Sequence, residues 1–223
     1  MAFWDYARRH QEPLEPIVPL AVLKRQDLYP GTFAATPAGP FDVVASDVSA
    51  ARLSRYSAVV VLGGVSLTPS LLSTHREYVR AGGRLLLSAS QMRDHEQLVQ
   101  AEDLFGARIG TRTFASQKVA ATPGPAAGQG SYDEPWYACV ETHAVSARPL
   151  ATDGSGHPVL LEHAFGKGRA YLATPEYLLE GYGSQRTPLR FFADFVRSLA
   201  ASGPACVEPT GDVSWIGARQ GRS

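Results

Sequence analysis

The chain has 223 residues, 44% of them hydrophobic, and 21 basic residues balance 21 acidic ones to a formal net charge of +0. That balance gives no electrostatic ground for nucleic acid or an anionic membrane as a partner, and no apolar run reaches the roughly 20 residues of a spanning helix. Two distant cysteines, Cys139 and Cys206, exclude a disulfide framework or a cysteine-rich zinc site, and an early acid with no long apolar core makes the start a poor signal peptide. A cytoplasmic protein is the expectation.

Residues 3–10, "FWDYARRH", read as a short amphipathic helix or arm within an N-terminal segment of 1–15. The first apolar strand follows at 16–24, best from Leu20 to Leu23, and a Pro- and Gly-rich loop leads on to "FDVVASD" (41–47). "SAVVVLGG" (57–64) has no polar alternation, the mark of a strand buried on both faces of a parallel sheet. Thr68 as N-cap and Pro69 as first residue open a helix whose inner face is Leu71, Leu72, His75, Tyr78 and Val79; Gly82 and Gly83 stop it. "RLLLSAS" (84–90) completes a βαβ unit, and a second helix is expected from about Asp94 to Phe105.

Residues 106–165 read as an irregular β-rich insertion with a mobile tip near 123–131. "RAYLAT" (169–174) returns to the main sheet. A last helix opens at Thr187 and Pro188, carries Leu189, Phe192, Val196 and Leu199 on one face, and ends at Gly203 and Pro204. The expected main domain is thus 16–203. The tail, 204–223, alternates like a strand at "DVSWIGAR" with nothing obvious to pair with, as though it began a further β domain.

The pieces "FDVV", "YSAVVVLGG", "YVRAGGRLLL" and "GKGRAYLATPEY", in this order over roughly 16–200, resemble the class I glutamine-amidotransferase-like fold. The closest likeness is to its non-catalytic version, the β-galactosidase trimerisation domain of large glycoside hydrolases. The resemblance implies an α/β fold of flavodoxin-like type, an open, mostly parallel sheet with helices on both faces. The Pro- and Gly-rich first crossover, 24–40, departs from the pattern.

An active member of that class needs a cysteine on a sharp turn after a central strand, a histidine with a glutamate two residues on, and Gly-rich backbone N–H groups for the oxyanion. Gly63 and Gly64 match the oxyanion turn, or simply make a tight turn. The nucleophile position falls in "SASQM", which offers Ser88 and Ser90 but no cysteine. The base position is Thr174, which accepts no proton near neutral pH, so Glu176 has no ring to orient; a surface hydrogen bond or a helix N-terminal charge is its alternative role. Nucleophile and base act as a unit, so losing both leaves the outline of a site without its chemistry.

Two functions from different classes follow. One is a non-enzymatic assembly or accessory domain of a carbohydrate-active enzyme, with no cofactor and no metal. The other is a small hydrolase or amidase using Ser88 or Ser90, or a small-ligand pocket, at the C-terminal strand ends around Gly63, Gly64, Ser88, Ser90, Thr174 and Glu176. The balance leans away from an enzyme. Among the histidines, His75 reads as a packed, hydrogen-bonded core residue and His95 (beside Asp94) as a helix surface residue. His143, His157 and His163 match no metal spacing. Tyr132, Trp136 and Tyr137 with Asp133 and Glu134 suit either a sugar or a hydrophobic loop anchor. Phe3, Trp4 and Tyr6 at one end and Trp215 at the other suggest docking, to a second copy or to another domain or subunit.

Overall fold

A computed structural model describes residues 14–16, 18, 20–23, 41–61, 65, 67–92, 102–121, 131–176, 190–200 and 218–220. Strand β2 (Leu20–Leu23) lies between β3 (Phe41–Val44) and β4 (Ala58–Val61), and β5 (Arg84–Ser88) follows β4; all three of these pairings are parallel. β10 (Gly168–Ala173) then pairs parallel with β5, placing Ala173 opposite Ser88. From β10 outward the pairings turn antiparallel through β9 (Pro158–Phe165), β8 (Arg148–Asp153), β6 (Ala107–Ala121) and β7 (Ser131–Ala144). The resulting nine-stranded order is β3-β2-β4-β5-β10-β9-β8-β6-β7.

The sheet is therefore mixed rather than mostly parallel. Where the connections are described, β4 and β5 pair parallel across the helix at Pro69–Arg80, whereas β8 with β9 and β9 with β10 follow one another through short turns and pair antiparallel. Those hairpin strands are the β-rich region seen in the sequence, and they continue the same sheet.

Alternate residues of the central strands point to opposite faces and enter two separate clusters. Leu23, Val59, Val61, Leu85, Leu87 and Leu172 pack with Leu71, Leu72, Tyr78 and Val79 of helix α2 (Pro69–Arg80). Leu20, Val22, Val60, Leu86 and Tyr171 pack with Phe191, Phe192, Phe195, Val196 and Leu199 of helix α3 (Arg190–Ala200). Each cluster buries side chains worth roughly 1.5–3 kcal/mol apiece. A short helix α1 (Ala50–Leu53) precedes β4.

Local chemistry sets the bounds of α2. Thr68 Oγ1 accepts from Leu71 N at 3.1 Å, Pro69 starts the helix, and Gly82 leaves it at φ +123°. The Gly166–Gly168 turn locks onto the end of this helix. Lys167 N donates to Arg80 O at 3.0 Å and Arg169 N to Gly83 O at 3.1 Å. Gly166 has φ +62°, and a Cβ at Gly168 would collide with the carbonyl oxygens of Val79 and Gly83.

Several expectations meet the structure differently. The strand over 41–47 ends at Val44, and 84–90 ends at Ser88, followed by a 3₁₀ turn (Ala89–Gln91). Of the helix expected over 94–105, the described part is a helical turn at 102–105. The tail does find a partner: β11 (Ala218–Gln220) pairs antiparallel with β1 (Leu14–Pro16), a pairing that no local pattern signals because the two lie some two hundred positions apart. The arm at 3–10, the crossover at 24–40, the tip at 123–130 and the helix opening at Thr187 lie outside the described residues.

Candidate functional site

The parallel register brings the ends of β5 and β10 side by side, so the two positions at which amide chemistry is expected are neighbours. Ser88 closes β5 and caps the 3₁₀ turn. Its Oγ accepts from Ser90 N at 3.2 Å, while its own N–H donates to Gln91 Oε1 at 2.9 Å. Ser88 Oγ donates to Pro175 O at 2.6 Å. That commits its only proton, so in the 2.8 Å contact between Ser88 Oγ and Ser90 Oγ the Ser88 oxygen accepts. Ser90 Oγ also lies 3.3 Å from Glu176 O. Ser88 is 1% exposed. A serine nucleophile hands its proton to a base, and a peptide carbonyl is not one.

Thr174 is fully buried, and its Oγ1 donates to Pro158 O at 3.0 Å. Strand β7 crosses directly over this point. Val140 N donates to Thr174 O at 2.8 Å, Glu176 N donates to Ala138 O at 2.9 Å, and Cys139 bridges Pro175. The chain's own hairpin thus covers the strand ends where an amide substrate would approach a nucleophile at Ser88.

Cys139 is the residue the sequence did not single out. It lies far in sequence from any strand-to-turn nucleophile position, yet the fold places its thiol against Thr174. Burial pushes that thiol up to about 12, with the Thr174 hydroxyl pulling more weakly in the other direction. A thiol so held is not a thiolate near neutral pH.

Beside this covered point lies an open-sided cavity of about 330 Å³. Ser90, Thr111, Thr113 and Glu176 supply its polar lining, and Met92 and Val140 belong to its apolar lining. Glu176 is half-buried and lines this cavity. Gly63 and Gly64 lie outside the described residues, as do Phe3, Trp4, Tyr6, Trp215, His10, Asp94 and His95, and the side chains of 133–137.

Three of the four described histidines have other engagements. His157 Nδ1 lies 3.0 Å from Asp153 Oδ2 at the β8–β9 turn. His163 Nδ1 meets Leu104 O at 2.9 Å, and its Nε2 lies 3.2 Å from Ser146 Oγ. His143 Nε2 lies 3.5 Å from Glu141. His75 is buried in the core as expected, and the hydrogen bond expected of it is not found among the described residues. Neither ring nitrogen has a partner among the described residues, and Leu71, Leu72, Tyr78 and Val79 of the same helix belong to the hydrophobic cluster. Tyr132 anchors helix α3, with its hydroxyl 3.3 Å from Asp194 Oδ2 and its ring edge-on to Phe191 at 5.3 Å. Among the described residues no group of three or more His, Cys, Asp or Glu side chains is placed to hold a metal ion, and no helix is long and apolar enough to cross a membrane.

No protein-family model matches the chain, and no curated protein matches it. Solved structures do. A β-galactosidase from Rahnella sp. R3 superposes with a TM-score of 0.57 at 20% identity, covering 83% of this chain and 31% of that one. A β-galactosidase from Bacillus circulans sp. alkalophilus gives 0.57 at 18% identity, covering 83% and 30%. A cytoplasmic protein from Salmonella typhimurium LT2 gives 0.60 at 16% identity, covering 82% of this chain and 98% of that one. The chain spans about a third of the β-galactosidases it matches and nearly all of the Salmonella protein. At these identities the likeness shows the fold alone: an α/β unit that occurs both as one part of β-galactosidases and as almost an entire small protein.

Proposed function

We propose that this chain is a non-catalytic, amidotransferase-like unit with an assembly or accessory role, associated with a carbohydrate-active enzyme. On this reading its framework is flavodoxin-like, its main domain is 16–203, and it acts in the cytoplasm. Aromatic residues Phe3, Trp4, Tyr6 and Trp215 meet a second copy or a neighbouring subunit. One observation carries the proposal. At both positions where amide chemistry is expected, a hydroxyl is spent on a backbone carbonyl: Ser88 on Pro175 and Thr174 on Pro158. Support for the accessory role comes from the β-galactosidases, in which the matched fold is a minor part of the chain.

The test has two arms. Glutamine and simple esters are offered to the purified protein, and the expected outcome is no turnover above background. Sedimentation across a wide concentration range, alone and with a β-galactosidase, is expected to show association. Turnover that Ser88→Ala or Ser90→Ala abolishes sinks the non-catalytic reading; a monomer under every condition sinks the assembly reading.

A further inference from the structure

The cavity beside Ser90 is not used by the assembly role, and its lining is chemically selective. We propose that it is a binding site for one small neutral polyol, of the size of a single sugar ring. The assignment rests on the non-catalytic reading only in that Ser90 and Glu176 are taken as binding rather than reacting groups.

The fold builds the cavity at the junction of the two halves of the sheet. The 3₁₀ turn and Met92 belong to the parallel half; β6 and β7 belong to the antiparallel half. The β6–β7 ladder is broken here. Ile109 pairs with Thr142 and the next partners are Thr113 and Val140, so four steps along β6 answer two along β7. Such a bulge re-aims side chains and takes backbone groups out of the ladder, and bulges recur beside functional sites. Gly110 and Thr111, within this bulge, and Thr113 at its end all line the cavity.

The lining decides the ligand class. The Ser90 hydroxyl, whose proton goes to Ser88 Oγ, accepts; the Thr111 and Thr113 hydroxyls donate or accept; and the Glu176 carboxylate accepts. Among the described lining residues there is no lysine or arginine, and the one charged group is Glu176. Ala89, Met92, Ala138 and Val140 supply aliphatic surface for a C–H face. A polyol fits this combination: its hydroxyls donate to the carboxylate and to Ser90 Oγ and exchange hydrogen bonds with the threonines, while its carbon skeleton lies on the apolar side. A carboxylate has about four lone-pair directions, so Glu176 accepts from a ligand while engaged elsewhere. A volume of about 330 Å³ is at the low end of small-molecule sites, suited to one ring rather than a chain.

The experiment is amide chemical-shift mapping of the full chain titrated with galactose and with glucose, with methylammonium chloride and inorganic phosphate as charged probes at matched ionic strength. Glu176→Gln and Thr113→Val are titrated in parallel, and a Tyr56→Phe variant serves as a distant control. The expected result is saturable shifts at Ser90, Thr111, Thr113 and Glu176 with a sugar. Affinity falls about tenfold or more in Glu176→Gln, as expected for loss of a hydrogen bond to a charged group, and is unchanged in the control. Three outcomes overturn the proposal: no saturable shift with either sugar, shifts with methylammonium or phosphate alone, or sugar shifts that the lining variants leave unchanged. Turnover of an amide would defeat the non-catalytic reading without touching this result, and a null titration would leave that reading intact.

Discussion

Ser88 Oγ and Pro175 O lie 2.6 Å apart, joining the end of β5 to the residue two beyond the end of β10. The bond closes a short arc: Ser88 caps the following 3₁₀ turn with the same oxygen, and Pro175 bridges Cys139 of the crossing hairpin. A hydroxyl holding three elements together is a structural group. Ser88→Ala should therefore destabilise the fold by about 1–3 kcal/mol, the cost of leaving a buried carbonyl unpaired. Ser90→Ala, at a half-buried position, should cost less. Urea unfolding of the two variants checks the order; equal and negligible effects would contradict it.

The same logic applies to the Gly166–Gly168 turn. A methyl group at Gly168 has nowhere to go but into the backbone of α2 and the Gly82–Gly83 turn, where the carbonyls of Val79 and Gly83 already sit. Gly168→Ala should cost about 2–4 kcal/mol, as overpacking against backbone does, whereas Gly154→Ala, which meets nothing nearby, should cost under about 1 kcal/mol. Thermal melts of the two variants separate these cases.

Local signals were legible and non-local ones were not. Helix α2 could be read from Thr68, Pro69 and Gly82 because a cap, a first-turn proline and a left-handed glycine act within one turn of chain. The central strands could be read because continuous burial leaves a continuous apolar run. The β6–β7 pairing could not: two register shifts and a bulge depend on partners set by the whole sheet. For the candidate site, the positions Ser88 and Thr174 were visible, but their partners were not. Pro175 is 87 positions from Ser88, and only the folded chain shows that both hydroxyls are already spent. Cys139 carried no motif at all; it matters through where β7 crosses.

His75 makes a sharper statement about acid. Its burial without a hydrogen-bonding partner among the described residues lowers its pKa from 6.5 to about 4. A base whose folded pKa is depressed is protonated preferentially in the unfolded chain. Stability should be intact above about pH 6.5 and fall as the pH drops from there toward 4, by roughly 3 kcal/mol in all. His75→Leu removes both the titration and the unpaired nitrogens, so it should raise stability by about 1–3 kcal/mol at pH 7 and flatten that window. An unchanged pH profile in the variant would show that His75 is not the responsible group.

Asp153 works in a lower window and with the opposite sign of charge. Burial alone would raise its pKa, but the His157 ring, the His157 N–H and the Ser155 N–H outweigh it and hold the carboxyl below its usual value. An acid with a depressed folded pKa stabilises the fold above its unfolded value of about 3.8 and loses that contribution as the pH falls through the folded one. Asp153→Ala should cost about 1–3 kcal/mol at pH 7 and weaken the pH dependence below about 4. The two histidine and aspartate windows are adjacent, so a double variant with His75→Leu should separate them in a single acid titration.

Cys139 tests the chemistry of the site most directly. An amidotransferase nucleophile is an exposed thiolate, whereas this thiol is buried, with its pKa pushed up to about 12. At pH 8 the thiolate fraction is about one part in ten thousand, against roughly a quarter for an ordinary thiol of pKa near 8.5. Iodoacetamide should leave Cys139 unlabelled in the native protein and modify it fully once urea unfolds the chain, with peptide mapping distinguishing it from Cys206. Rapid native labelling of Cys139 would mean that β7 opens away from Thr174, and the strand ends it covers would then again be accessible to a substrate.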